Sequence, residues 1–329
     1  MRHARTLHTL SGIVLILAYM CGAADAATRW RVEQSGAKGD GVTDDTRAIQ
    51  RAIQHCYESG YRTLVFKKGK TYRLASYASQ SSLVLYGSNL TIDGRGATLL
   101  DERHSGGYWG DTVRVGGLVD GVPYPMAANG EVEIWHAGHE RKIIARNVMI
   151  TNLTIRHTGA PAHVNSVGIA FADHVELDDV TSIHSPQSAF AILSDAQNEP
   201  TTNVRLVRTH ALDSAYHAYR VSLQGEGNSL SVVLSYCSSV EVRNAEGEYA
   251  PAEGIDGLRA HLWYRAGTSS PGVSLTVEHC KFDDSAQVVS TQGSHDLKII
   301  DTDVPAGLHL VRQKDDRVEI SGNRLGAAR

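Results

Sequence analysis

The chain has 329 residues, 42% of them hydrophobic and 21% charged, with a formal net charge of −4. That balance excludes a disordered chain and a bundle of membrane spans. Without any basic block it also argues against a general binder of nucleic acid or anionic membrane. Gly is frequent (31), Pro scarce (8) and aromatics make up 6%, a composition that leans toward strands and turns. The length suits two average domains or one elongated all-β fold.

Residues 1–26 read as a secretory signal. Arg2 and Arg5 precede an apolar run from Leu10 to Met20, and Ala24-Asp25-Ala26 has the small–x–small form of a cleavage site. The run is shorter than the about 20 residues that a membrane span needs. Tyr19-Met20, ahead of Cys21, are bulky where a lipoprotein site wants small residues. The mature chain, 27–329, is therefore expected to be secreted or periplasmic, with no membrane span, and monomeric. It keeps Cys56, Cys237 and Cys280, an odd set that leaves at least one thiol free.

Residues 27–60 read as an N-terminal cap. Gly36, Gly39 and Gly41 allow tight turning, and Thr43 or Asp44 can cap the helix that follows. Ala48, Ile49, Ala52, Ile53, Cys56 and Tyr57 fall on one face of that helix, and Gly60 ends it. The turn has neither the lysine nor the spacing of a phosphate-binding loop. The helix is expected to cover the open end of a long apolar core.

The stretch Gly36-Ala37-Lys38-Gly39-Asp40-Gly41-Val42-Thr43-Asp44-Asp45-Thr46, then Ala48-Ile49-Gln50, resembles the N-terminal signature of the pectate-lyase and polygalacturonase superfamily. Leu64-Val65-Phe66, Gly69, Tyr72 and Ile92-Asp93-Gly94-Arg95-Gly96-Ala97 are similar to the segments that follow it there. The resemblance covers roughly residues 30–100. It implies an all-β fold, a single right-handed parallel β-helix capped by an N-terminal α-helix. It says less about the reaction, because one fold hosts many functions.

The repeat pattern supports the same architecture independently. Segments starting at Asn89, Asn147, His174, Asn203, Ser231, Ser274, Asp296 and Arg317 share apolar residues at their second and fourth positions. From Asn147 onward the starts are spaced 27, 29, 28, 43, 22 and 21 residues apart, which suits one solenoid turn each. Alternating apolar positions suit strands with one face inward, and stacking creates the core. The 43-residue spacing reads as one coil with an insertion or as two coils. A 58-residue spacing from Asn89 to Asn147 includes an irregular stretch with Tyr108, Trp109, Tyr124 and Trp135, a natural wall for a cleft. Cys237 and Cys280 share the seventh position of their segments, and stacked buried thiols are preferred over a disulfide.

Each repeat also carries a second strand downstream, read at 168–171, 189–192, 218–222, 257–262, 287–290 and 307–310. Alternation puts Ile169, Phe171, Phe190, Ile192, Val221, Leu258, Leu262, Leu308 and Leu310 inward and Arg220, Arg259, His261 and His309 outward. Polygalacturonase-like relatives carry Asn-Thr-Asp, Asp-Asp, Gly-His-Gly and Arg-Ile-Lys on such strands. This chain reads Asn165-Ser166-Val167-Gly168, Gln187-Ser188-Ala189 and Tyr216-His217-Ala218 instead, with no Arg-Ile-Lys. Hydrolysis needs two placed carboxylates, so these departures point away from that family's hydrolase.

β-Elimination needs a base for the proton α to a uronate carboxylate, a neutraliser for the charge that develops, and an acid for the leaving oxygen. His217, Tyr219 and Arg220 supply those three groups and are the expected catalytic residues. Arg259, His261, Tyr264 and Tyr216 are the expected substrate contacts, since basic groups suit an anionic sugar chain. No metal or other cofactor is expected. Asp178-Asp179, Asp283-Asp284 and Asp315-Asp316 read as solvated turns, so a Ca2+ ion, though chemically possible, has no support. The expected function is a lyase that cleaves an acidic, uronate-containing polysaccharide. A glycoside hydrolase of the same fold, a uronate epimerase and a non-catalytic carbohydrate-binding β-helix are the alternatives.

Overall fold

The computed structural model describes residues 28–75, 81–102, 110–116, 144–158, 164–194, 201–223, 230–243, 260–266, 273–290, 296–310 and 316–326. Short strands of β-branched and aliphatic residues stack in parallel, coil on coil, into one sheet of 17 strands and another of 8. The chain is an all-β parallel β-helix, with one α-helix among the described residues.

The repeat sets the register. Leu90 pairs Val148, which pairs Val175, then Val204, Val232, Leu275, Leu297 and Val318 in unbroken succession. Ile92, Ile150, Leu177, Leu206, Leu234, Val277, Ile299 and Ile320 form the second column in the same way. Most of these side chains are buried in one continuous core; a buried Val, Leu or Ile contributes about 1.5–3 kcal/mol relative to exposure. Val232 pairs Leu275 directly, so the 43-residue spacing is one coil with an insertion. Leu90 pairs Val148 directly, so the 58-residue spacing is one coil too.

Each complete coil has three faces, where the sequence suggested two strands. Between the two expected strands lies another, such as His210–Ser214 or Ser238–Val242. In the earlier coils, strands Ala145–His157 and Ala172–Ile183 run through the first corner without a break. That corner is made by a residue in the left-handed conformation: Asn152, Asp179, Arg208, Tyr236, His279 and Asp301 have φ between 47° and 57°. The third face is the 8-stranded sheet, whose strands include Gly110–Val115, Val164–Ile169, Ser188–Ser194, His217–Leu223, Ala260–Ala266 and Gln287–Ser290. The strand read at 257–262 is therefore Ala260–Ala266, and Leu258 lies outside the described residues.

The cap helix spans Thr46–Ser59 and buries Ala48, Ile49, Ala52, Ile53 and Cys56 against the first coil. Its N-cap is Asp45, not Thr43 or Asp44. The Asp45 carboxylate instead ties the preceding turn, accepting from the backbone N–H of Lys38 (2.6 Å) and Gly39 (2.9 Å). Only glycine suits position 39: φ is +60° and a Cβ would lie 2.8 Å from the Tyr72 ring. Gly60 closes the helix with φ 74°. Cys56, Cys237 and Cys280 are buried free thiols. Burial pushes the Cys56 thiol up to about 12. The segment read as a signal, 1–26, lies outside the described residues.

Candidate active site on the third face

The chain turns sharply as it enters the third face, and strict alternation fails there. Two successive residues of each strand enter the core: Ala189 and Phe190, then Ala218 and Tyr219, then His261 and Leu262. The residue before each pair faces out, as does the residue after it. His217 and Arg220, three apart in sequence, thus lie on the side of the strand away from the main core, His217 buried there and Arg220 partly exposed, while Tyr219 between them enters the core.

Two outer rows run along the helix axis as a result. One contains Asp111, Asn165, Ser188, His217 and Ala260: Asp111 pairs Asn165, Ser188 pairs His217, and His217 pairs Ala260. The Ser188 N–H bonds the Asn165 side-chain oxygen at 3.2 Å and joins the two halves. The other row runs Arg114, Gly168, Ala191, Arg220 and Trp263.

His217 is the centre of this face. It is 1% exposed, and among the described residues its Nδ1 has no hydrogen-bond partner. Tyr216 lies against its ring at 4.0 Å between centroids, and Trp263 stacks on it at 5.5 Å. The Arg220 guanidinium lies over the Trp263 ring, 5.4 Å from the centroid. Burial first, and the Arg220 charge second, hold the imidazole well below its usual range, so it is neutral at pH 7. On the adjacent coil the buried Gln187 Oε1 and Ser188 Oγ also lack partners.

At the other end of the row sits Asp111, the only carboxylate on the described strands of this sheet. It accepts from Asn165 Nδ2 at 2.9 Å and from Arg114 at 3.0 Å. Its carboxylate lies over Gly168, where a Cβ would come within 2.2 Å of it. Gly168→Ala is therefore expected to push Asp111 off Asn165 and Arg114 at a cost of about 1–3 kcal/mol. A thermal midpoint within 1 °C of the parent would count against that account.

Three of the expected site residues are elsewhere. Tyr219 is in the core, stacked on Phe190, with its hydroxyl donating to the carbonyls of Thr209 (2.8 Å) and Ser238 (3.0 Å). Burial raises its pKa well above the usual value, and its hydroxyl is committed to backbone carbonyls within the core. Tyr264 is also interior, paired with Val221, and burial raises its pKa as well. His261 turns inward at the corner, stacked on Phe282, with Nδ1 on Ser239 Oγ (2.8 Å) and Nε2 on Asp283 O (3.0 Å). For His261 the physical reason is the sharp entry into the strand, which a period-two reading does not contain; Tyr219 and Tyr264 lie inside, where alternation from Arg220 and Leu262 puts them. Arg259 lies outside the described residues, as do Tyr108, Trp109, Tyr124 and Trp135. Tyr216, Arg220 and the exposed His309 stand on or beside the outer face.

Asp111, Arg114 and Trp263 were missed. Asn165, Ser188 and His217 had a usable signal: they fall in the three segments compared with the polygalacturonase motifs, and the register puts them in one row. Trp263 had none beyond lying three residues into its strand. Among the described residues, no group of three or more His, Cys, Asp or Glu side chains is placed to hold a metal ion.

The buried histidines also make stability depend on pH. Burial lowers His261, although Asp283 opposes the shift, and burial and Arg220 lower His217. Below about 6.5 the unfolded chain takes up protons that these rings refuse. Stability is thus expected to fall as pH drops from 7 through 6, read as a falling urea midpoint. A midpoint independent of pH over that range would contradict it.

Residues 30–189 match the family model described as rhamnogalacturonase A/epimerase, pectate lyase-like. The tailspike protein of E. coli bacteriophage HK620, solved as a double mutant, superposes with a TM-score of 0.57 at 13% identity, over 92% of this chain and 51% of that one. This is a right-handed parallel β-helix protein, and its first half is similar to the pectate-lyase-like family. ORF18 of Geobacillus virus E2 matches at a TM-score of 0.43 and 12% identity, over 98% of this chain and 63% of its own length. Endo-xylogalacturonan hydrolase from Aspergillus tubingensis matches at 0.44 and 16%, over 88% and 91%. The chain thus spans about half to two thirds of the tailspike and the viral protein. No curated protein matches it. The handedness agrees with the rule for parallel crossovers, and no described helix of this β-helix is long and apolar enough to cross a membrane.

Proposed function

We propose that the protein is an exported carbohydrate-active enzyme, a lyase that cleaves an acidic, uronate-containing polysaccharide by β-elimination on the third face. The observation that carries this reading is His217: a buried, neutral imidazole with an unpartnered Nδ1, beside a cation. A general base needs that protonation state at neutral pH. In the proposed reaction His217 takes the proton from the carbon α to the carboxylate. Arg220 neutralises the charge that grows on that carboxylate. The electron pair forms the double bond to the neighbouring carbon as its bond to the glycosidic oxygen breaks. Tyr216, in place of the interior Tyr219, protonates the leaving oxygen.

Acid–base hydrolysis is less well supported. It needs two carboxylates about 5–9.5 Å apart, and the described strands of this face carry Asp111 alone, held by Arg114 and Asn165. The test is ultraviolet absorbance of unsaturated uronate, with the mature protein acting on a panel of acidic polysaccharides. Rising absorbance supports the lyase. New reducing ends without absorbance overturn it in favour of hydrolysis, and neither signal in favour of a binding module.

A further inference from the structure

Trp263 has no role in the reading from sequence, yet it touches both groups that the proposed reaction depends on. It is 3% exposed and belongs to a small cluster with Ala260, apart from the main core. Its ring stacks on the His217 imidazole at 18° between planes and carries the Arg220 guanidinium at 5.4 Å. Its indole Nε1–H is buried without a partner. Leaving such a donor unpaired is unfavourable. A phenylalanine would fill the same apolar space without that cost.

Two basic groups side by side need something to keep them together. The face of an indole attracts a guanidinium, so the ring fixes Arg220 toward its own side. The same ring walls off the imidazole from water. The groups around His217 are Arg220 on its own strand, Tyr216 in the preceding turn, Ser188 on one neighbouring strand, and Ala260 with Trp263 on the other. Of these, the groups with an ionisable side chain are Arg220 and Tyr216. Trp263 is therefore the one aromatic wall contributed by the adjacent coil.

We propose that Trp263 is the positioning residue for the His217–Arg220 pair and that its indole N–H donates to the carboxylate of the bound uronate. The second half rests on the lyase reading; the first half rests on geometry alone. Trp263→Phe separates the two, because it keeps the stack and removes the donor. Trp263→Leu removes both.

The experiment follows the His217 ring by NMR titration, alongside kcat and KM on the acidic polysaccharide found active. In Trp263→Phe, the titration stays at the parent position, KM rises about tenfold and kcat stays within twofold. In Trp263→Leu, the titration moves up toward the free-histidine value and kcat falls at least tenfold. An unmoved His217 titration in Trp263→Leu, in protein with parent-like circular dichroism, overturns the positioning role. An unchanged KM in Trp263→Phe overturns the donor role. If Trp263→Leu does not fold, an His217 titration displaced in Trp263→Phe overturns positioning by the stack. A moved titration in Trp263→Leu, in a protein with no activity on any uronate polymer, supports the positioning role and sinks the lyase reading instead.

Discussion

His217→Ala and Arg220→Ala are each expected to abolish turnover on an acidic polysaccharide while leaving the fold intact. Removing a positioned general base costs about 10²–10⁴ in rate. Removing a preorganised electrostatic partner costs about 10²–10³ in kcat. Both side chains pack on Trp263, which stands apart from the main core, so circular dichroism and the oligomeric profile should match the parent. His217 is buried, so His217→Gln, which keeps its volume and polarity, is the companion variant. The pH profile gives an internal check. Burial and the Arg220 charge hold the imidazole well below 6.5, so the acid limb of kcat/KM should lie well below 6.5 and move upward in Arg220→Gln. A variant of either residue with full activity would show that the residue is not part of the chemistry.

Removing the cap helix, Thr46–Ser59, should convert the protein into aggregates. The helix buries Ile49 and Ile53 at 1% and 2% exposure, with Ala48, Ala52 and Cys56 beside them, on the first coil. Without it, the apolar interior of that coil and unpaired strand edges meet water, and such edges template association. Gln50 adds a polar lock: its Nε2 donates to Val84 O at 3.1 Å, and its Oε1 accepts from Val84 N at 2.9 Å. A milder variant, Ile53→Ala, should cost about 2–5 kcal/mol through the cavity it leaves. Size-exclusion chromatography of the deletion decides the matter. A soluble monomer with parent-like strand content would mean that the cap does not protect the core end.

Much of the fold was legible because its physics is local and repeated. The second- and fourth-position apolar residues of eight segments predicted eight rungs, and every successive pair is in register. The helix face Ala48, Ile49, Ala52, Ile53 and Cys56 is the face the structure buries. The middle strand of the coil was not legible. His210–Ser214 reads His-Ala-Leu-Asp-Ser and Ser238–Val242 reads Ser-Ser-Val-Glu-Val, too short and too polar for a clear alternation. The helix N-cap was misplaced by one residue, because Asp44 and Asp45 are chemically alike and only the turn they close tells them apart.

The site was legible in residue type and partly wrong in direction. His217, Arg220 and Tyr216 were chosen from the sequence because the proposed chemistry asks for those groups. His261 was placed outside because a strand was assumed to alternate from its first residue, whereas Tyr219 and Tyr264 were chosen for their chemistry although the same alternation turns them inward. At each entry to the third face two neighbours go in together, and that shift reverses the parity of what precedes them.

The sequence by itself determined that this is a stacked, parallel, all-β coil with a helix over one end. Pairing between adjacent coils is a matter of equal spacing and repeated apolar positions, and both are written in one dimension. Only the tertiary structure decided which polar side chains meet. Asp111, Asn165, Ser188 and His217 are separated by up to 106 positions in the chain, yet they share a row because each coil adds about 4.8 Å along the axis. Trp263 reaches His217 and Arg220 for the same reason. Such contacts depend on the length of every intervening coil and on the angle of each corner, and no local pattern carries either.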